Sequence, residues 1–570
     1  MRRFTSIDLR SAWLILISCA AVSMVVAAMA ALNTALADIA IDINADTGQM
    51  TWIADGYTLA LAALLLPAGA IGDRLGRREL LIAGLIVFAI GSLAAIWTTD
   101  PTQLIITRCV AGAGAAFIMP TTLSLITSGV PEDKRSIGIS IWAAVAGAGA
   151  IAGFLVSGVL LKFFSWHSIF ITFAASAVLT ALVCLTIGTS KDSEPKPFDY
   201  LGTLVSILAV TGIVFGLLEA PHRGWDDALV LITLIGGIVL VAVFCLIELR
   251  GSRQLLDVRL FTNRAFGSGA LSVALQFFAS FGAFYLLLQR LQLVFGYTPL
   301  QSAFALMPMV AGVSIFALIG NWLAVRYHSL RFVLAGGILI SGLGFILIGT
   351  IDYDTYWVLA AMLFCTSVGI GLATAPSTTA IMSNTPLDNQ GVGSAVNDTA
   401  REIGAAIGIA ISGSLLAAGY SDRIGSTAAL ARDQLTAAGQ PQAAAEAGER
   451  ISRSLAEATE VASRLPGELG ARILQGAKDA FIEPMNMACL VLGIVLVVGG
   501  VALGFLAPRR VVALHHDGQP ESGVNEFGWS GESDDDPVSN DNAASGPTAN
   551  EPAADGRDSN DPVASESDSV

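Results

Sequence analysis

Charged residues are scarce in this 570-residue chain, at 14% against 54% hydrophobic residues. A soluble globular protein carries about 25% charged residues, so the composition excludes that class and predicts a membrane protein. The six cysteines are widely spaced within apolar runs, which excludes a disulfide framework. None of the five histidines has a cysteine or carboxylate at metal-ligand spacing, so no metal site is predicted.

Motifs for nucleotide chemistry are also missing. The chain contains no Gly-Lys dipeptide, and hence no phosphate-binding loop of the Gly-x-x-x-x-Gly-Lys-Ser/Thr type. It lacks a nucleophile with a paired base, a cofactor motif and a soluble domain large enough for a nucleotidase. We therefore predict that the protein is not an enzyme and needs no cofactor, and we expect neither an ATPase subunit nor nucleic acid as a partner. Any energy-requiring activity would then draw on an ion gradient.

Apolar runs long enough to cross a bilayer are abundant, since a spanning helix needs about 20 residues. Because the first run is longer than a signal-peptide core and many spans follow it, we interpret it as an uncleaved helix. We predict about fourteen membrane helices, near residues 12–32, 53–72, 79–97, 103–128, 137–161, 167–188, 200–220, 227–247, 265–289, 299–323, 331–350, 356–382, 393–418 and 484–507.

The distribution of Lys and Arg predicts the orientation. Short loops on one side are basic, whereas those on the other side hold little beyond Lys162, Arg223 and Arg290. The positive-inside rule then places both termini in the cytoplasm. The acidic, Ser-rich and Asn-rich segment 508–570 is predicted to be a disordered cytoplasmic tail, with docking to a basic partner as the alternative.

The segment 419–478 is predicted to be a long external loop that contains one amphipathic helix. Pro466 and Gly467 end the helical pattern. The helix either covers the outer mouth of the protein or packs on its outer surface. Its apolar face is formed by Ile451, Leu455, Ala458, Ala462 and Leu465.

A short charged loop between the second and third runs carries the most specific motif. It reads Gly-Ala-Ile-Gly-Asp-Arg-Leu-Gly-Arg-Arg from Gly69 to Arg78. This order resembles the signature loop of the major facilitator superfamily of secondary transporters. We predict that Asp73 closes the cytoplasmic side by pairing with backbone amides or with an arginine of an adjacent helix. The residues that carry the resemblance are Gly69, Gly72, Asp73, Arg74, Gly76, Arg77 and Arg78.

Two further motifs support the resemblance. Arg108, followed by Gly112 and Gly114, is similar to the pattern of that superfamily's fourth helix, and an intramembrane arginine is a functional candidate. The alternative is an arginine that reaches the membrane surface. In the fifth run, small residues resemble the superfamily's antiporter signature with two departures: Phe154 stands where the signature has proline, and Ser157 replaces a glycine. The matching face, which could equally serve helix packing, is Gly147, Gly149, Gly153, Ser157 and Gly158.

The number of spans resembles the fourteen-helix drug:proton antiporter family. Two inserted helices, within residues 191–262, would separate six-helix halves at 1–190 and 263–507. The resemblance implies an all-α membrane protein with the major facilitator fold. Asn33 stands where that family has aspartate in its first helix, and Asn397 and Arg401 match a face of its thirteenth helix.

Proton exchange requires a carboxylate that reaches water and is partly desolvated. Asp38 and Asp55, at the outer ends of the first two helices, are the preferred candidates and are expected to share a proton. The alternative is that both mark helix ends in the headgroup layer. Asp398 and Glu402, beside Arg401, are the second choice.

Aromatic residues of the ninth run predict where a substrate binds. Phe277, Phe281, Phe284 and Tyr285 share one helical face, which can bind flat cations or face lipid. The full set of predicted cavity residues is Asn33, Gln276, Phe277, Phe281, Tyr285 and Asn397.

The resemblance implies a proton-coupled exporter of amphipathic or cationic small molecules in the plasma membrane, with protons, substrate and the lipid bilayer as its partners. Two alternatives stay open. One is an exporter of an endogenous lipid or secondary metabolite, and the other is a non-transporting membrane sensor or scaffold that uses its acidic tail.

Overall fold

The computed structural model describes residues 8–191, 198–251, 254–351, 353 and 355–509. Within these ranges the ordered backbone is helical and contains no strand. The predicted tail lies outside them from Arg510 onward. The α-helices are α1 (Leu9–Ala31), α2 (Leu36–Asp42), α3 (Thr47–Leu75), α4 (Arg77–Ala94), α5 (Pro101–Gly129), α6 (Glu132–Phe163), α7 (His167–Cys184), α8 (Tyr200–Arg223), α9 (Ala228–Arg250), α10 (Arg264–Gln289), α11 (Pro299–Ala305), α12 (Met307–Tyr327), α13 (Leu330–Thr350), α14 (Tyr356–Ser383), α15 (Gln390–Ala437), α16 (Pro441–Arg453), α17 (Leu455–Arg464) and α18 (Gly467–Leu506).

Fourteen helical segments of the described ranges are long and apolar enough to span a membrane, which confirms the predicted number. Acidic caps mark where several of them start. The Asp46 carboxylate accepts a hydrogen bond from the backbone N–H of Gln49 at 2.8 Å at the start of α3, and the Asp227 carboxylate caps α9 in the same way.

The spanning helices form two halves joined by an inserted pair. One apolar core is built mainly from α1 to α7 and a second mainly from α10 to α18. Helix α8 of the inserted pair packs against α3 of the first half and α15 of the second, whereas α9 packs mainly on α8. The inserted pair therefore lies along one boundary between the halves.

Small residues allow the helices of the first half to approach closely. A Cβ atom on Gly112 of α5 would overlap the backbone carbonyl of Tyr57 in α3. Likewise, a Cβ atom on Gly153 of α6 would lie 2.8 Å from the Ala27 Cα of α1. Backbone contact of this kind leaves no room for a side chain.

Residues 419–478 form helices rather than a loop. Helix α15 continues to Ala437 and α18 begins at Gly467, so both contribute to a four-helix bundle with α16 and α17. The predicted single amphipathic helix is wrong, because the chain breaks at Ser454. The Ser454 hydroxyl accepts a hydrogen bond from the Glu457 amide at 3.2 Å and starts a new helix. The predicted apolar residues Ile451, Leu455, Ala458 and Ala462 are nevertheless buried in the bundle core.

Candidate functional site

The turn between α3 and α4 lies at one end of the helices, called here the basic end. Gly76 separates the two helices and has φ of +116°, a conformation that favours glycine. A Cβ atom at this position would also lie 2.9 Å from the Thr189 hydroxyl oxygen. The four-helix bundle of α15 to α18 lies at the opposite end, called here the far end.

Asp73, in the last turn of α3, connects the two halves at the basic end. Its carboxylate accepts hydrogen bonds from the backbone amides of Gly391 at 2.8 Å and Val392 at 3.1 Å. These amides belong to the first turn of α15, where backbone N–H groups lack helical partners. Asp73 thus caps a helix of the other half, and its carboxylate also meets the positive end of that helix.

Arg77 reinforces this junction from a buried position. Its guanidinium donates to the Asp73 carboxylate at 2.7 Å and to the Leu387 carbonyl at 3.1 Å. Another hydrogen bond, of 2.6 Å, reaches the Ser190 hydroxyl. Gly69 completes the contact, since a Cβ atom there would overlap the Gly391 carbonyl. The basic end is therefore closed in this structure.

The other signature residues surround this contact. The Arg74 guanidinium lies 5.3 Å from the centroid of the Phe198 ring, and Arg78 donates to the Ile187 carbonyl at 3.0 Å. Gly72 packs beside Leu80.

A cavity of about 80 Å³ lies between the two halves. Its wall is mostly apolar and includes Phe277, Phe281 and Phe284 of α10, with the first two rings stacked at a centroid distance of 5.8 Å. Both halves contribute, through α1, α3, α5 and α6 on one side and α10, α12, α14 and α15 on the other. The charged residues of the wall are Arg401 and Glu402.

The Arg401 guanidinium is buried between aromatic rings of the two halves. Its central carbon lies 4.6 Å from the centroid of Trp142 in α6 and 5.0 Å from that of Phe277 in α10. The closest acidic atom is the Asp398 carboxylate, 3.9 Å from Nε. Among the described residues Nε has no hydrogen-bond partner, and the contacts of Arg401 include two cation–π contacts and a long ion pair.

Two carboxyl groups beside Arg401 are buried and only partly hydrogen-bonded. One oxygen of Asp398 accepts a hydrogen bond from the Asn397 amide at 3.1 Å. The second oxygen of Asp398, and Oε2 of Glu402, have no partner in the described part of the chain. Of these two carboxyl groups, that of Glu402 lines the cavity.

Arg108 is turned into the protein instead of toward the surface. Its side chain is buried, donates to the Ile53 carbonyl at 3.2 Å and lies 4.4 Å from the centroid of the Tyr57 ring. Tyr57 in turn donates to the Val25 carbonyl at 3.1 Å. Arg108 therefore connects α5 to α3 and, through Tyr57, to α1.

The antiporter-like face of α6 packs on α1. Gly149 and Gly153 meet the α1 backbone, and the Ser157 hydroxyl accepts a hydrogen bond from Thr34 at 2.6 Å. Gly158 faces Leu300 of α11. Phe154, which replaces the signature's proline, is buried within an intact helix.

Two predicted cavity residues lie instead between helices of the second half. Gln276 does not line the cavity in this structure; its side chain is buried against α14 and accepts a hydrogen bond from Thr374 at 2.6 Å. Asn397 likewise accepts from the Thr378 hydroxyl at 3.1 Å. Both amides satisfy polar groups between packed helices, which a single helical pattern does not reveal.

Two other predicted cavity residues lie at the surface. Asn33 is exposed and donates to the Ala30 carbonyl at 3.3 Å. Tyr285 is 37% exposed, because α10 turns it away from the cavity that Phe281 and Phe284 line.

The two aspartates that are predicted to share a proton differ in exposure. Asp38 is exposed on α2, whereas Asp55 is half-buried in α3. Helix α3, which carries Asp55, packs against α8, and Glu219 of α8 accepts a hydrogen bond from Arg223 at 2.6 Å. Sequence reasoning missed Glu219 and also Trp142. The available signals were a carboxylate near the end of an apolar run and a lone Trp among small residues.

Comparison with known proteins agrees with this architecture. A family model described as Major Facilitator Superfamily matches residues 16–409. The methyl viologen resistance protein SmvA of Salmonella typhimurium is 31% identical over 480 residues, covering 83% of this chain and 94% of that protein. The multidrug efflux pump LfrA of Mycolicibacterium smegmatis is 32% identical over 480 residues, covering 82% and 91%.

A solved structure gives a similar fold. It is the inward-facing, unoccupied form of a bacterial homologue of the human lysosomal transporter Spinster. The TM-score is 0.55 at 15% identity, over 88% of this chain and 98% of that one.

Proposed function

This chain belongs to the Major Facilitator Superfamily, and we propose that it exports amphipathic or cationic small molecules from the cell in exchange for protons. The observation that carries the proposal is the cavity between the halves, where an aromatic wall meets the carboxyl group of Glu402. The names of its relatives, which are drug and methyl viologen resistance proteins, support the same class of substrate.

The positive-inside rule supports the direction of transport. Lys and Arg are concentrated in the loops of the basic end, which we therefore assign to the cytoplasm, together with both termini. In this assignment Asp73 and Arg77 close the cytoplasmic side. The cavity of about 80 Å³ is far smaller than the roughly 300 Å³ of a drug-sized site, so the halves must separate before a substrate enters.

Glu402 is the carboxyl group best suited to carry the proton. It lines the cavity and one of its oxygens has no hydrogen-bond partner among the described residues, so no fixed contact holds that oxygen. Asp398 does not line the cavity and is the ion-pair partner of Arg401, while Asp38 is exposed. A proton on Glu402 would remove the negative charge that a cationic substrate needs, so proton and substrate would compete for one site.

The phenylalanines supply the rest of the binding site. Phe277 and Phe281 present stacked rings to the cavity, and the face of an aromatic ring attracts a cation within about 6 Å. A flat cation would therefore be held by ring faces and balanced by the Glu402 carboxylate.

Uptake of methyl viologen into inverted membrane vesicles tests the proposal. We expect an imposed pH gradient, acidic inside, to drive uptake by the wild-type protein. Glu402→Gln should lose this pH-driven mode, whereas Asp38→Asn, as the matched control, should keep it. Gradient-driven uptake at the wild-type rate by Glu402→Gln would reject Glu402 as the proton carrier. If neither methyl viologen nor any amphipathic probe is taken up, the scaffold alternative is favoured.

A further inference from the structure

A tryptophan of the first half packs against Arg401, one of the two charged residues of the cavity wall. Trp142 is fully buried in α6, and its indole N–H donates to the Thr122 hydroxyl at 3.1 Å. This hydrogen bond and the burial fix the orientation of the ring. The Arg401 guanidinium lies over the face of this ring, with its central carbon 4.6 Å from the ring centroid.

We propose that Trp142 is a positioning residue for transport, and that its contact with Arg401 is a latch between the two halves that forms when the basic end closes and breaks when it opens. The inference rests on the proposed transport function. It goes beyond that function because it assigns a role to a residue that touches neither the cavity space nor the proton.

Few other groups compete with Trp142 for the Arg401 guanidinium. Its own helix offers Asp398 at 3.9 Å, a distance too long for a hydrogen bond. Its own half offers the Phe277 ring at 5.0 Å. Trp is the aromatic residue that binds cations best, and here it comes from the opposite half. Separation of α6 from α15 would therefore cost Arg401 its nearest aromatic partner.

Arg401 also neighbours both residues that are proposed to bind substrate and proton. Phe277, on one side of the guanidinium, lines the substrate cavity, and Glu402 is the next residue along α15. A substrate cation on Phe277 or a proton on Glu402 changes the electrostatic surroundings of Arg401. Both ligands thus act on one contact between the halves, in addition to the Asp73 contact at the basic end.

The test is to measure KM and kcat separately for transport into inverted vesicles, where the bath faces the basic end. Substrate from the bath binds only when that end is open, so its apparent affinity rises with the open fraction. A buried cation–π contact contributes about 0.5–2 kcal/mol, which corresponds to roughly a two- to thirty-fold change in an equilibrium. We expect Trp142→Leu to lower the KM for methyl viologen within that range and to lower kcat per transporter.

Two further variants make the result specific. Trp142→Phe keeps a weaker ring face and should show an intermediate fall in KM, so it also serves if the leucine variant does not fold. Trp322→Leu is the matched control, because Trp322 on α12 is 59% exposed, and it should leave both constants unchanged.

The outcomes separate the latch from the transport function. A lower maximal rate with unchanged KM in both Trp142 variants would indicate a purely structural residue and would overturn the latch. Absence of methyl viologen uptake by the wild-type protein, with and without a gradient, would instead reject the proposed transport function.

Discussion

Replacement of Asp73 by asparagine tests the closure of the basic end most directly. The change keeps the size of the side chain but removes its charge and turns one acceptor oxygen into an N–H donor. That donor would face either the Val392 amide or the cluster of Gly391 and Arg77 donors. At least one hydrogen bond to a charged acceptor is lost, and two donors are left pointing at each other.

The size of the effect follows from these contacts. A hydrogen bond to a charged group contributes about 1.5–3 kcal/mol. Asp73 is 4% exposed, so solvent does little to replace the lost bond. Because this bond joins the halves only when the basic end is closed, we expect the closed state of Asp73→Asn to lose roughly ten- to hundred-fold in population relative to the open state.

Turnover and protein amount are measured together. Asp73→Asn should be inserted at the wild-type level but take up methyl viologen more slowly under a pH gradient, with a lower KM from the basic end. Asp388→Asn removes an exposed charge from the same region and should behave as the wild type. Wild-type turnover by Asp73→Asn would mean that the loop only sets the topology of the chain.

Two further substitutions test the cavity and the helix packing. Phe281→Leu should weaken methyl viologen binding roughly two- to thirty-fold through the loss of a ring face, whereas Tyr285→Leu, outside the cavity, should not; equal affinities in tryptophan-quenching titrations would contradict this assignment. Gly112→Val should prevent the close contact of α5 with α3 and lower the thermal unfolding temperature in detergent, and an unchanged temperature would show that α5 can shift without loss.

The fold could be predicted from the sequence because its main signals are local. The length of each apolar run decides whether it can span a membrane, and neighbouring residues alone determine that length. The helix break at Ser454, in contrast, does not follow from the apolar pattern. Ile451 and Leu455 continue one apolar period across it, whereas in the structure Ser454 caps a new helix and the two helices pack separately on α15 and α18.

The site was predictable only in part, because its partners are distant along the chain. Asp73 was recognised from its motif, yet its amide donors lie more than three hundred residues later. Phe281 lies on the side of α10 that faces the cavity and Tyr285 does not, although both belong to one sequence pattern. Glu219 was missed because contact between α8 and α3 depends on where the inserted pair packs.

The uninterrupted course of α15 has a mechanical consequence. Its 48 residues contain no proline and measure about 72 Å at 1.5 Å per residue. One helix therefore carries Gly391, which contacts Asp73 at the basic end, Arg401 in the cavity wall, and one wall of the far-end bundle. If α15 tilts as a unit by about 10° about one end, its other end moves by about 12 Å, given that length. A spectroscopic probe on α16, which packs on α15 at the far end, would therefore report the opening of the basic end.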